Sequence, residues 1–212
     1  MANSKLVMPL IIKWEGGYSN HPNDKGGCTM KGVTIGTFRK FYGAEKNCSD
    51  LKQITDEQWL NIFETGFWNV CNGDEIANQS IANIIVDWAW NSGPQTAIKK
   101  VQQILEVEKD GKMGPITISK LNNYNQKELF KKIYLARTNF YINICKKNES
   151  QKVFLKGWMN RLADYKFSEN PKVEITVEEE KITEKIKQES YEEIKKHFTD
   201  IMLDFGQSFL FK

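Results

Sequence analysis

The sequence predicts a mainly α fold with one small β-hairpin near its start. Three observations carry this. Between residues 37 and 165 apolar residues recur at intervals of three and four, residues 18–36 are crowded with Gly, Asn, Asp, Ser and Thr, and after Asn170-Pro171 the composition turns to Glu and Lys. At 212 residues, 40% hydrophobic and 12% aromatic, the chain can bury one core or two small lobes, not several independent domains.

The first helix is expected over residues 4–14, where Leu6, Met8, Leu10, Ile11 and Trp14 share mixed helical spacing and Gly16-Gly17 offers a left-handed end. Glu15 then stands at a helix C-terminus, where a carboxylate opposes the dipole and costs stability. The turn signal Asn23-Asp24-Lys25-Gly26-Gly27 followed by Val33-Thr34-Ile35 predicts an irregular hairpin. Helices follow at 37–42, 55–69, 75–91, 94–106, 115–122, 126–147 and 151–165. In the longest, Leu129, Phe130, Ile133, Tyr134, Arg137, Phe140, Tyr141 and Ile144 form one packing face. Beyond Pro171, Ile182, Ile186, Ile194, Phe198, Ile201, Phe205 and Phe209 predict an appended amphipathic helix, too charged to span a membrane. Docking on the body, self-association and interfacial membrane binding are its open roles, in that order.

A net charge of +3 with closely matched acidic and basic residues lacks the dense basic face of a nucleic-acid binder. Cys28, Cys48, Cys71 and Cys145 form no CxxC pair and no disulfide-dense pattern, so buried free thiols are expected. The apolar stretch Leu6–Ile12 is broken by Pro9 and too short for a secretory signal, which predicts synthesis in the cytoplasm.

The chemistry-bearing stretch reads Trp14-Glu15-Gly16-Gly17-Tyr18, then His21-Pro22-Asn23-Asp24-Lys25-Gly26-Gly27-Cys28-Thr29, then Gly32-Val33-Thr34. Glycoside hydrolysis needs one carboxyl group that donates a proton and a second that is ionised. Glu15, between Trp14 and Tyr18, fits the first role. Asp24, in a polar turn, fits the second by stabilising the oxocarbenium-like transition state or activating water, and Thr29 can hold that water. Carboxyls roughly 6.5–9.5 Å apart would invert the anomeric carbon, and about 5–5.5 Å would retain it. Taken singly, a Glu before Gly-Gly is commonly a solvated helix end, and an Asp before Lys-Gly-Gly a turn-former.

Together these residues resemble a family. Glu15-Gly-Gly-Tyr followed by Asp24-x-Gly-Gly-x-Thr29-x-x-Gly32-x-Thr34 is similar to the glycoside hydrolase family 108 N-acetylmuramidases, a lysozyme-like group of phages and bacteria. The resemblance implies that Glu15 is the catalytic acid. The interval to Asp24 and the later Thr29 also look like the Glu/Asp/Thr arrangement of phage-type lysozymes, which implies inversion. Asp110-Gly111-Lys112-Met113-Gly114-Pro115-Ile116-Thr117, with Gly157-Trp158-x-x-Arg161, is similar to the peptidoglycan-binding region that commonly follows; locally it also reads as a Gly turn entering a helix with Pro first. The resemblance covers roughly residues 5–168. It implies a lysozyme-like two-lobed fold: a catalytic lobe over 1–96, a peptidoglycan-binding-like helical lobe of the same unit over 97–170, and the tail over 171–212. Peptidoglycan glycan strands are the implied partner, reached after export or lysis.

Asp87-Trp88-Ala89-Trp90-Asn91-Ser92-Gly93 looks like the family's Asp-x-x-x-Asn-x-Gly segment, and Asp87 and Asn91, four apart, share a helix face from which both can reach sugar groups. Equally, Asn91-Ser92-Gly93 reads as a helix terminator and Asp87 as an internal cap or ion-pair partner. Trp68, Trp88 and Trp90 offer faces for stacking on sugar C–H bonds, though at helical spacing at most one is expected to do so. Tyr18, Asp87, Asn91 and Trp88 thus form the expected substrate-binding set. A metal site on His21, Asp24 and Cys28 is disfavoured because the other histidine is His197 and no HExxH occurs, so neither metal nor cofactor is expected. A Cys28 nucleophile with His21 has no third orienting residue. A non-catalytic wall-binding or secretion-assisting protein on the same fold is the main rival.

Overall fold

The computed structural model describes residues 1–20 and 27–169. Asp24, His21 and the tail after Pro171, where an amphipathic helix is expected, lie outside the described residues. The helix α1 spans Ser4–Ile12 and starts at Asn3, whose side chain accepts from the Lys5 amide. Val7 and Ile11 are buried on its inner face. Its end differs from the expected glycine cap: Lys13 stays right-handed, and the amides of Lys13, Trp14 and Glu15 bond to the carbonyls of Pro9, Ile11 and Ile12 at 3.1, 3.0 and 3.1 Å. The last carbonyls are satisfied by that tightened turn, and neither Gly16 nor Gly17 has a positive φ.

A hairpin lies within the expected residues 18–36, but its turn is at Lys31-Gly32 and not at the Asn23–Gly27 signal. Strands β1 (Thr29–Met30) and β2 (Val33–Thr34) pair antiparallel, Thr29 opposite Thr34 and Met30 opposite Val33. Lys31 and Gly32 connect them with φ of 48° and 77°, the left-handed pair that a two-residue loop of this hand requires. Ser19 bridges back onto Thr29. Next come α2 (Ile35–Tyr42), α3 (Cys48–Lys52), which the apolar pattern did not predict, and α4 (Asp56–Phe63), which continues as a π-helical turn over Glu64–Trp68. Thr55 and Gln58 close a capping box at the start of α4.

Helix α5 (Gln79–Ser92) is the axis of the molecule. Ile81, Ala82, Ile84, Ile85, Val86, Trp88 and Ala89 are all buried, so it is apolar nearly all round and packs against α1, α6 and α8. Gly93 ends it at φ 82°, and Pro94 opens α6 (Pro94–Leu105) at once. In the loop after α6, the Gln102 side chain accepts from the Gly111 amide at 2.9 Å and donates to Asp110 and the Lys112 carbonyl, fixing the turn that enters α7 (Pro115–Asn123) with Pro first. Helices α8 (Gln126–Lys147) and α9 (Lys152–Ala163) complete the described residues, and α8 buries Leu129, Phe130, Ile133, Arg137 and Tyr141 along its predicted face.

The cysteine expectation is corrected in part. Cys28 and Cys48 form a disulfide with Cα atoms 5.9 Å apart, tying the start of β1 to the start of α3. With α3 unforeseen, nothing in the sequence brought position 48 beside position 28. Cys71 and Cys145 are free and buried as expected, and burial pushes the Cys71 thiol up to about 12.

Candidate active site

Three elements converge on the Glu15 carboxylate. From the last turn of α5, Trp90 Nε1 donates to Glu15 Oε1 at 2.8 Å. From α9, Arg161 Nη1 donates to the same oxygen at 2.7 Å. The hairpin tip closes the other side: a Cβ on Gly32 would stand 2.5 Å from Glu15 Oε2 and 2.9 Å from the Trp90 ring. Gly32 is therefore required twice, for its positive φ and for the space the carboxylate fills. The Glu15 side chain keeps 15% of its exposure, so the group is held yet reachable.

Trp90 is fixed by aromatic neighbours, with Phe67, Trp59 and Phe63 ring centroids at 4.7, 5.3 and 6.0 Å. Trp59 in turn donates to the Lys31 carbonyl at 2.9 Å, which ties α4 to the hairpin tip. Lys13 Nζ and Trp14 Nε1 both reach Asp164 Oδ2 at 2.7 Å, so the three residues 13–15 are all anchored to the end of α9. The expected aromatic flanks of Glu15 are thus corrected: Trp14 goes to Asp164, Tyr18 is exposed with Lys52 Nζ 5.4 Å from its ring, and the aromatic partner of Glu15 is Trp90.

Behind Arg161 lies a buried charge cluster. Arg161 Nε and Nη2 both donate to Asp87 Oδ1, at 2.9 and 2.6 Å, and Arg137 Nη2 donates to Asp87 Oδ2 at 2.5 Å. Burial pushes the Asp87 carboxyl up, but the Arg137 and Arg161 guanidiniums more than offset it and hold it below the usual carboxylate range. Burial acts to lower Arg161 and Arg137 too, and the Asp87 charge outweighs it, so both rise above their ordinary values.

The substrate-binding expectations are therefore corrected for two residues. Asp87 is wholly buried and ion-paired, the alternative held open for it above, and Trp88 is wholly buried in the core, so neither presents an atom to a sugar. Trp68 is also core, its indole donating to Asp74 at 2.9 Å. Asn91 is exposed and its amide donates to the Asp87 carbonyl at 2.8 Å. Thr29 is half-buried in β1, beside the disulfide. Sequence patterns offered Trp90 only as one of three candidate sugar-stacking faces and Arg161 only as part of Gly-Trp-x-x-Arg, not as donors to Glu15; Arg137, an Arg within the apolar face of α8, is the signal that could have pointed to a buried ion pair. Among the described residues no group of three or more His, Cys, Asp and Glu could hold a metal ion.

Comparison with known proteins bears on this geometry. Residues 8–93 match the family model described as glycosyl hydrolase 108, and residues 95–163 match that of a predicted peptidoglycan domain. The chain carries a glycosyl hydrolase 108 domain followed by a peptidoglycan domain. A solved structure of Brucella abortus SagA is similar at a TM-score of 0.65 and 27% identity, covering 76% of this chain and 90% of that one. No curated protein matches. The helical body with its small antiparallel hairpin is a lysozyme-like fold, and the chain is a peptidoglycan-acting, lysozyme-like protein. The boundary between the two matched segments falls at Gly93 and Pro94, with no linker between α5 and α6. Glu15 and Trp90 belong to the family 108 domain, and Arg161 to the second segment.

Proposed function

We propose that this chain is an N-acetylmuramidase that cuts the glycan strand of peptidoglycan, with Glu15 as proton donor. The observation that carries it is the seating of Glu15: the Glu of the Glu-Gly-Gly-Tyr motif is partly exposed while two N–H donors converge on one of its oxygens. Protonated Glu15 gives its proton to the glycosidic oxygen as the bond to the anomeric carbon breaks. Trp90 and Arg161 then stabilise the carboxylate that this leaves behind, since fixed donors act most strongly where charge develops. Asp24 takes a proton from the attacking water, whose hydroxide bonds the anomeric carbon, and Thr29 orients that water. These last two roles rest on the sequence motif. A water between acid and base implies inversion. Tyr18 and Asn91, both exposed, supply contacts to the sugars.

The disulfide supports action outside the cytoplasm, where oxidising conditions preserve it. Export or lysis would bring the protein to the wall. Purified peptidoglycan treated with wild-type protein should release fragments with new reducing N-acetylmuramic acid ends, with the product anomer opposite to that of the substrate. Binding to the wall without fragments would instead favour a non-catalytic wall-binding protein.

A further inference from the structure

We infer that Arg161 is a positioning residue for Glu15, held in place by the buried Asp87–Arg137 pair, so that the peptidoglycan domain completes the active site instead of serving only as a separate wall-binding module. The inference rests on the muramidase reading for what Glu15 does, but its geometry stands apart from it.

Exposure rises in steps along this chain of charges: the Asp87 and Arg137 side chains are at 0%, Arg161 at 7% and Glu15 at 15%. At the deep end Arg137 is fixed by Tyr141, Ile84 and Tyr165 as well as by Asp87. Its Nε donates to Tyr141 Oη at 2.9 Å, its Nη1 to the Ile84 carbonyl at 3.3 Å, and the Tyr141 and Tyr165 rings flank it at 5.6 and 5.7 Å. Asp87 spends one oxygen on Arg137 and the other on two nitrogens of Arg161. A guanidinium is a rigid planar fork, so two bonds to one carboxylate oxygen fix its plane and aim the remaining Nη1, which meets Glu15 at 2.7 Å.

Charge balance points the same way. One buried carboxylate needs one cation, yet Asp87 has two; the second is matched only by the Glu15 carboxylate that proton transfer leaves behind. A cluster built for stability alone would have no use for the extra arginine. Its function is to set the position of the proton donor, where a misplacement of about 1 Å can cost on the order of 100-fold in rate.

The test compares full-length wild type, Arg161→Gln, Arg161→Lys and Ile133→Ala, the last a core truncation on α8 that destabilises while leaving every member of the charge chain in place. Cleavage of soluble glycan strands is measured well below each unfolding midpoint, and the indole N–H resonance of Trp90, assigned by its loss in Trp90→Phe, is followed by NMR. The inference predicts that Arg161→Gln lowers kcat on the order of 100-fold with KM within about threefold, that Lys recovers part of the loss, and that the Trp90 resonance moves in Arg161→Gln but not in Ile133→Ala. An unmoved resonance with kcat falling no further than in Ile133→Ala would overturn it. If wild type cuts no glycan, the muramidase reading fails alone, and the Trp90 resonance decides the positioning role: a shift in Arg161→Gln upholds it and an unmoved signal overturns it.

Discussion

Gly32, at the tip of the hairpin, shows how tightly the site is drawn at the scale of single residues. Gly32→Ala forces a Cβ to within 2.5 Å of Glu15 Oε2 and places a side chain at φ 77°. We expect a loss of about 1–3 kcal/mol of stability from the backbone alone, and a larger fractional loss of cleavage because the carboxylate must move; denaturant titration and turnover measured together would show both. Asp87 makes the complementary case. Asp87→Asn leaves the buried Arg137 guanidinium without a counter-charge, which should cost about 3–5 kcal/mol, and a melting experiment should show a fall on the order of 10 °C. The sign with pH follows from the lowered Asp87 carboxyl. Its folded value lies below the unfolded one, so its contribution is fully present above about pH 4 and is lost as pH falls toward the folded value. Wild type should therefore lose stability below about pH 4, with Asp87→Asn showing a flatter slope there.

Glu15 was legible from its motif, because Glu-Gly-Gly-Tyr before a Gly-rich turn is a local pattern. Its partners were not, since Trp90 and Arg161 are 75 and 146 residues away along the chain. Asp87 and Trp88 were misassigned for a related reason: helical spacing says which residues share a face but not whether that face meets solvent.

Among the elements, the long helices followed from apolar period, and the hairpin lies within the expected residues 18–36 but turns at Lys31-Gly32 instead of at the Asn23–Gly27 signal. Helix α3 did not, having five residues, a capping box and Leu51 as its buried residue; so short a helix carries no period to detect. It matters because it brings Cys48 to Cys28. The bond closes a loop of sequence separation 20 and should contribute about 3 kcal/mol. Cys48→Ser should lower the unfolding midpoint accordingly, and dithiothreitol should produce the same loss in wild type and none in the variant. Equal midpoints with and without reductant in wild type would mean that the bond does not form.

At the scale of the whole molecule, the two family segments meet without a linker, share α5 as their axis and jointly hold Glu15. All described residues fall within one packed unit, Met1–Pro171. Calorimetry should therefore show that the two segments melt together, whereas separate transitions for residues 8–93 and 95–163 would mean that they are independent modules. The mainly α class and the order of the elements were readable because periodicity is local; the convergence of α1, α5, α9 and the hairpin on one carboxylate is a product of packing that no local pattern contains. The most direct test of the central claim is the release of reducing ends from purified peptidoglycan by wild type and by Glu15→Gln, a swap that preserves size and removes the transferable proton. The account predicts muropeptides ending in reducing N-acetylmuramic acid from wild type and a loss on the order of 100- to 10,000-fold in the variant; equal release by both proteins would contradict it.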